Sequence, residues 1–145
     1  MTSSEVNNLM EKKKKRSKPK KKEESIQLQV SKYLRSQYPG VIFNSDIASG
    51  MRLPIWIAAK AKAQRSGRGQ PDLVILEPRG KFGALCIELK RDGIKIFKQN
   101  GDVIADKHIQ EQYDLLCRLR GKGYCAEFAC GFSQAKLIID QYFCL

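Results

Sequence analysis

The chain of 145 residues has one histidine, one tryptophan and five prolines. It has no run of 18 apolar residues, so no transmembrane helix is expected. No apolar stretch stands near its N-terminus, so no secretory signal is expected either. The five cysteines, Cys86, Cys117, Cys125, Cys130 and Cys144, form no CxxC pair. An odd number so spaced fits no disulfide framework, and with one histidine it fits no zinc site. They are expected to be reduced and packed as small apolar residues in a cytoplasmic protein. Acid is scarce too: 15 Asp and Glu stand against 27 Lys and Arg, a net charge of +12. Such an excess predicts a polyanionic partner, nucleic acid before an acidic membrane surface.

The charge is uneven. Residues 1–24 carry nine basic and four acidic side chains, and the remainder carries 18 and 11. A body without the tail is therefore still basic. Residues 1–22 are polar and end in a lysine run, so they are expected to be a disordered basic arm, a tether to nucleic acid rather than part of a core. Residues 23–145 are expected to form one domain.

The pattern of apolar residues predicts the order of elements. Ile26, Val30, Tyr33 and Leu34 give one helical stripe over 23–37, which Tyr38-Pro39-Gly40 ends. Val41–Asn44 reads as a short strand. Residues 54–64 are alanine-rich and helical, with Pro54 near the first turn. A loop rich in glycine follows, then strands at Asp72–Leu76 and Gly83–Lys90, joined by a turn at Pro78-Arg79-Gly80. Asn100-Gly101 between Ile94–Phe97 and Val103-Ile104 signals a type I′ hairpin, expected to project from the body. Asp106 is expected to cap a helix over 107–121 that Gly121 and Gly123 end. Tyr124–Cys130 reads as a strand. Ser133 is expected to cap a last helix whose Ala135, Ile138, Ile139 and Tyr142 share a face. Strands interleaved with helices predict an α/β fold with a mixed central sheet.

Side chains of a strand alternate faces, so Leu85, Ile87 and Leu89 share one side and Cys86, Glu88 and Lys90 the other. If the two long strands are neighbours, Asp72 comes near Glu88. Two close carboxylates repel unless a cation lies between them. Hard oxygen donors without His or Cys point to Mg²⁺ or Mn²⁺. Taken alone, Glu88–Lys90 also fits a strand end entering solvent with a surface ion pair. The context is stronger: Gly67-x-Gly69-x-Pro71-Asp72, an apolar strand, then a second apolar strand carrying Glu88-x-Lys90.

Ser66-Gly67-Arg68-Gly69-Gln70-Pro71-Asp72-Leu73 followed by Ile87-Glu88-Leu89-Lys90 resembles the PD-(D/E)XK nuclease superfamily, and within it the VRR-NUC family, notably its small phage and prophage members. The likeness also takes in Glu23-x-x-Ile26-Gln27, Tyr38-Pro39-Gly40-Val41, His108-Ile109-Gln110-Glu111-Gln112 and Gly131 to Ile139. It implies a restriction-endonuclease-like core. It implies a metal held by Asp72, Glu88 and the backbone carbonyl of Ile87, with Lys90 on the attacking water or the phosphate. It places an acid on the first helix, Glu23 with Glu24 as the substitute, and Gln112 near the site. It further implies branched or junction DNA as substrate, as for a Holliday junction resolvase, a homodimer, and the bacterial host cytoplasm for a phage protein.

Plainer roles also fit two of these residues. Glu23 suits an acid favoured in a helix's first turn, and Gln112 a boundary glutamine satisfied by backbone. His108 reads as a first-turn surface residue rather than a general base. Arg65 and Arg68 in the glycine loop, with Arg52, Lys60 and Lys62 nearby, are expected to contact DNA phosphates. Lys95 and Lys98 make the hairpin a second contact. Trp56 can stack on a base, but a lone Trp in an alanine-rich helix is expected in the core. The competing reading is a basic nucleic-acid-binding protein without catalysis. Clustered acids argue against it, since binding alone gains nothing from carboxylates beside phosphates.

Overall fold

The computed structural model describes residues 20–46, 52–67 and 69–145, with only the backbone for 20–24. The first 19 residues of the expected arm lie outside this range. Helix α1 spans Lys20–Gln37, three residues longer at its start than expected. Its stripe is as read: Ile26, Val30 and Leu34 are buried, and Tyr33 packs beside them. The chain turns at Gly40, whose φ is 89°.

Four strands follow in the order of the sheet: β1 (Phe43–Ser45), β2 (Leu73–Ile75), β3 (Leu85–Lys90) and β4 (Cys125–Cys130). The first two pairings are antiparallel and β3 to β4 is parallel. The sheet is therefore mixed. A parallel pairing needs a crossover, which α3 (Lys107–Gly121) supplies. The short helix α2 (Ile55–Ala63) lies between β1 and β2, and α4 (Gly131–Phe143) ends the chain.

The sheet separates two cores. Leu73, Ile75, Leu85, Ile87 and Leu89 meet α1 and α4 on one face. Cys86, Ala126 and Phe128 meet Ile109 and Leu116 of α3 on the other. All six residues of β3 are consequently buried, the charged Glu88 and Lys90 included. Asp140 ties α4 to α1. Its Oδ1 accepts from the Tyr33 and Tyr38 hydroxyls at 2.5 and 2.6 Å, and Lys136 Nζ lies 2.6 Å from Oδ2. Burial alone works to raise the Asp140 pKa, but these donors outweigh it and hold the carboxyl down at about 2.

Several local expectations change. The ribbon is not a type I′ hairpin, because Asn100 has no positive φ; Gly101 takes the left-handed conformation, φ 87°. The Lys98 carbonyl accepts from Gly101 N–H at 3.1 Å, and Lys98 N–H donates to Asp102 O at 2.7 Å. This is a three-residue loop, a type I turn followed by glycine. Asn100 stays right-handed because its side chain is engaged, accepting from Asp102 N–H at 3.1 Å. Nor does the whole ribbon project. Its tip is exposed, but Ile96 is buried against the α3-side core. The first turn also moves by one residue, with Arg79 and Phe82 exchanging backbone bonds around Gly80.

Asp106 caps α3 as expected, its Oδ1 accepting from Ile109 N–H at 3.0 Å. Ser133 does not cap α4. The N-cap is Cys130, whose N–H is met by Gln134 Oε1 at 2.6 Å. The helix starts early because Gly131 makes the bend, with φ 81°. A Cβ there would collide with the Asp92 carboxylate. Gly131→Ala is therefore expected to cost about 1–3 kcal/mol from its backbone conformation alone, and more from the clash. Urea denaturation checks this. Adding Asp92→Ala should recover the clash and leave the backbone cost.

The five cysteines are free. Cys86 packs in the α3-side core, and burial pushes its thiol up to about 11. Cys117 and Cys144 are exposed instead of packed. Among the described residues no helix is long and apolar enough to cross a membrane.

Candidate active site

The site stands where β2 enters the sheet and β3 leaves it. Leu73 pairs with Ile87, so continuing the register by one residue sets Asp72 opposite Glu88, on the same face. Asp72 Oδ2 accepts from Leu89 N–H at 2.8 Å. The carboxylate thus takes a bond from the neighbouring strand and is fixed by it. Glu88 Oε1 lies 3.6 Å from Lys90 Nζ and accepts from Gln112 Nε2 of α3. Asp72, Glu88 and Lys90 are only 6, 4 and 8% exposed. This decides against a solvated strand end, because charged side chains are almost never so buried without a function or a partner.

Burial first, and the charge of Asp72 second, push the Glu88 carboxyl up to about 8, while Lys90 pulls the other way. Two carboxyl groups facing each other in a water-poor site cannot both ionise easily. Glu88 therefore keeps its proton near neutral pH unless positive charge arrives. A second sign of an incomplete arrangement is Gln112. Its Nε2 is used on Glu88, yet its Oε1 is buried with no hydrogen-bond partner among the described residues. The glutamine is thus not the boundary residue satisfied by backbone.

A cavity of about 170 Å³ opens on this group, lined by Glu88, Gln112, His108, Glu111, Gly69 and Gln70 among others. The glycine loop thus reaches the site, as its position before Asp72 suggested. His108 is exposed in the first turn of α3, as expected, but it also faces this cavity. The sequence reading missed Glu111 as a lining residue. Its position one before Gln112 in the motif was the available signal.

Asp46 was also missed. Its N–H bonds Asp72 O at 2.8 Å, continuing the β1–β2 register so that Asp46, Asp72 and Glu88 form one cross-strand row. The Asp46 carboxylate meets Arg65, with Oδ2 3.2 Å from Nη2. Arg65, expected on a phosphate, is therefore half-buried in an ion pair that ties the loop to β1. Gln27 of α1 donates to Asp46 O at 3.3 Å. That contact brings α1 beside the row, and Glu23 lies one turn earlier on the same helix. The Glu23 side chain itself is outside the described residues, as is all of Arg68.

Ile87 directs its side chain into the α1–α4 core, so only its backbone is available for ligation. Arg52, Lys60, Lys62, Lys95 and Lys98 are all exposed. Trp56, expected in the core, is 70% exposed. Its helix buries none of its residues, because four alanines and two lysines among its nine positions leave no long apolar stripe to anchor it.

No three His, Cys, Asp or Glu side chains among the described residues form a metal cluster. The fit to a divalent cation rests on fewer protein donors: two adjacent carboxyls, one holding an unwanted proton, and the orphaned Gln112 Oε1. All are hard oxygens of the kind Mg²⁺ and Mn²⁺ take.

No family model and no curated protein matches the chain. A solved structure does. It is a VRR_NUC domain protein, 27% identical, with a TM-score of 0.60, and the alignment covers 86% of this chain and 89% of that one.

Proposed function

On the premise that the chain has a VRR-NUC, restriction-endonuclease-like fold, we propose that it is a divalent-metal-dependent endonuclease that hydrolyses DNA phosphodiester bonds. The observation that carries this is the buried pair Asp72 and Glu88 on facing strands, with Lys90 3.6 Å from Glu88. Asp72, Glu88 and the backbone carbonyl of Ile87 would hold Mg²⁺ or Mn²⁺, with Glu23 as a further acid from α1. Such an ion, when bound, makes a water more acidic and offsets charge on the phosphoryl oxygens.

The side chains divide the remaining work. Asp72 is fixed beside Glu88 by the bond from Leu89 N–H. Gln112 orients Glu88 from the opposite helix. Lys90 places a positive charge on the same face, where it aligns the attacking water and meets negative charge as it develops. The exposed Arg52, Lys60, Lys62, Lys95 and Lys98, with Arg68 of the glycine loop, supply the phosphate contacts that position the strand. Arg65 joins them by exchanging Asp46 for a phosphate.

Branched or junction DNA is the proposed substrate, and a homodimer the proposed working form, because cutting two strands symmetrically takes two sites. A cleavage panel tests the whole reading. Labelled duplex, flap, splayed-arm and four-way-junction DNA are incubated with the full chain, with and without Mn²⁺. Metal-dependent products are expected, most from the branched substrates. Binding that survives EDTA, with no product under any condition, would leave only a nucleic-acid-binding protein.

A further inference from the structure

Helix α2 is the part of the fold that its own packing does not explain. Ile55 and Trp56 in its first turn are 90 and 70% exposed, and none of its nine residues is buried. Large apolar side chains side by side on a surface mark a contact site. The chemistry around them narrows the partner. Arg52, Lys60 and Lys62 are exposed on and beside the helix, and residues 52–67 contain no acid at all. An apolar protein partner gains little from such a cationic rim, whereas a nucleic-acid strand is bound by it. The flat face of an indole set among cations suits an unstacked base, for which aromatic stacking is the main sequence-independent contact.

The helix is also placed relative to the site. Its C-terminal end leads within two residues to Arg65, which is ion-paired to Asp46 in the row beside Asp72. Trp56 stands nine positions before Arg65.

We infer that α2 is the element that recognises branched DNA, with Trp56 stacking on an unpaired base on the approach to the bond that is cut. This rests on the nuclease reading and adds to it what distinguishes a branch from a continuous duplex. A fully paired duplex offers no free base face, so the contact exists only where strands separate.

The only tryptophan of the chain is its own reporter. The full chain is titrated in EDTA with splayed-arm DNA and with blunt duplex of equal length, following tryptophan fluorescence. Stronger quenching by the splayed-arm DNA is expected. Trp56→Ala should weaken splayed-arm binding roughly tenfold, a loss within the range of one base stack, and leave duplex affinity within about twofold. Trp56→Phe should keep most of the affinity. Equal quenching by both DNAs, or equal loss for both in Trp56→Ala, overturns the inference. So does a Trp56→Ala chain that changes only in sedimentation, which would make α2 a face for a second copy. Failure of the nuclease reading is separate: it shows as a wild-type chain that cuts no DNA with Mn²⁺, whatever the fluorescence does.

Discussion

Asp72→Asn, Glu88→Gln and Lys90→Met should each lower the rate of DNA cleavage in Mn²⁺ by about 10²–10³-fold, the usual effect of removing one preorganised charge from a reacting centre. These replacements keep shape. The asparagine amide retains an oxygen for Leu89 N–H, which the Asp72 carboxylate now meets at 2.8 Å. A glutamine in place of Glu88 still offers an oxygen to Gln112. Thermal melting near that of wild type is therefore expected for Asp72→Asn, and DNA binding in EDTA should persist for all three. Gln112→Ala should cost less, about tenfold, because it acts by holding Glu88. A chain with any of the three replacements that cuts as fast as wild type would remove that residue from the mechanism.

The second large effect is on stability, and it has a sign that differs from the usual carboxylate. The folded Glu88 holds its proton up to about pH 8, while in the unfolded chain the same group releases it near its ordinary value of 4.5. Between these two values the native state binds more protons than the unfolded one. Stability therefore falls as pH rises through this window and is flat above it. The metal-free chain should melt several degrees lower at about pH 8 than at about pH 5. Glu88→Gln should flatten the slope and melt higher than wild type at the upper end. Added Mn²⁺ should restore the wild-type chain there and do little for the variant. Asp140 does not confuse this window. Its carboxyl is held at about 2, so its contribution is lost only as pH falls below its unfolded value toward that figure. A wild-type melting curve with no more pH dependence than that of Glu88→Gln would show that folding does not raise the Glu88 carboxyl.

Much of the architecture was legible because it rests on periodicity. The α1 stripe of Ile26, Val30 and Leu34 needs only helical spacing, and the core face of β3, Leu85, Ile87 and Leu89, needs only alternation; the burial of its other face did not show. The facing of Asp72 and Glu88 was legible once β2 and β3 were taken as neighbours. What was hidden depends on partners far along the chain. Arg65 and Asp46 are 19 residues apart and meet only through the β1–β2 register. Asn100-Gly101 carries the sequence of one turn and adopts another, because Asn100 bonds Asp102 from a right-handed conformation. The placement of Trp56 followed from size and hydrophobicity, which say core; nothing local states that α2 has no neighbour to bury it against. Cys130 displaces Ser133 as a cap for a similar reason, since Gly131 bends the chain early beside Asp92.

The location of Glu88 and Lys90 on β3, the strand enclosed by both cores, bears on how the chain loses function. Local openings begin at weakly packed elements such as α2 and the ribbon tip, whereas a central strand opens only with the whole domain. Amide protons of β3 should then be among the last to exchange. In rising denaturant, cleavage of a substrate that does not need α2 should persist until global unfolding and disappear with it. Residual activity on such a substrate becomes a direct count of folded molecules.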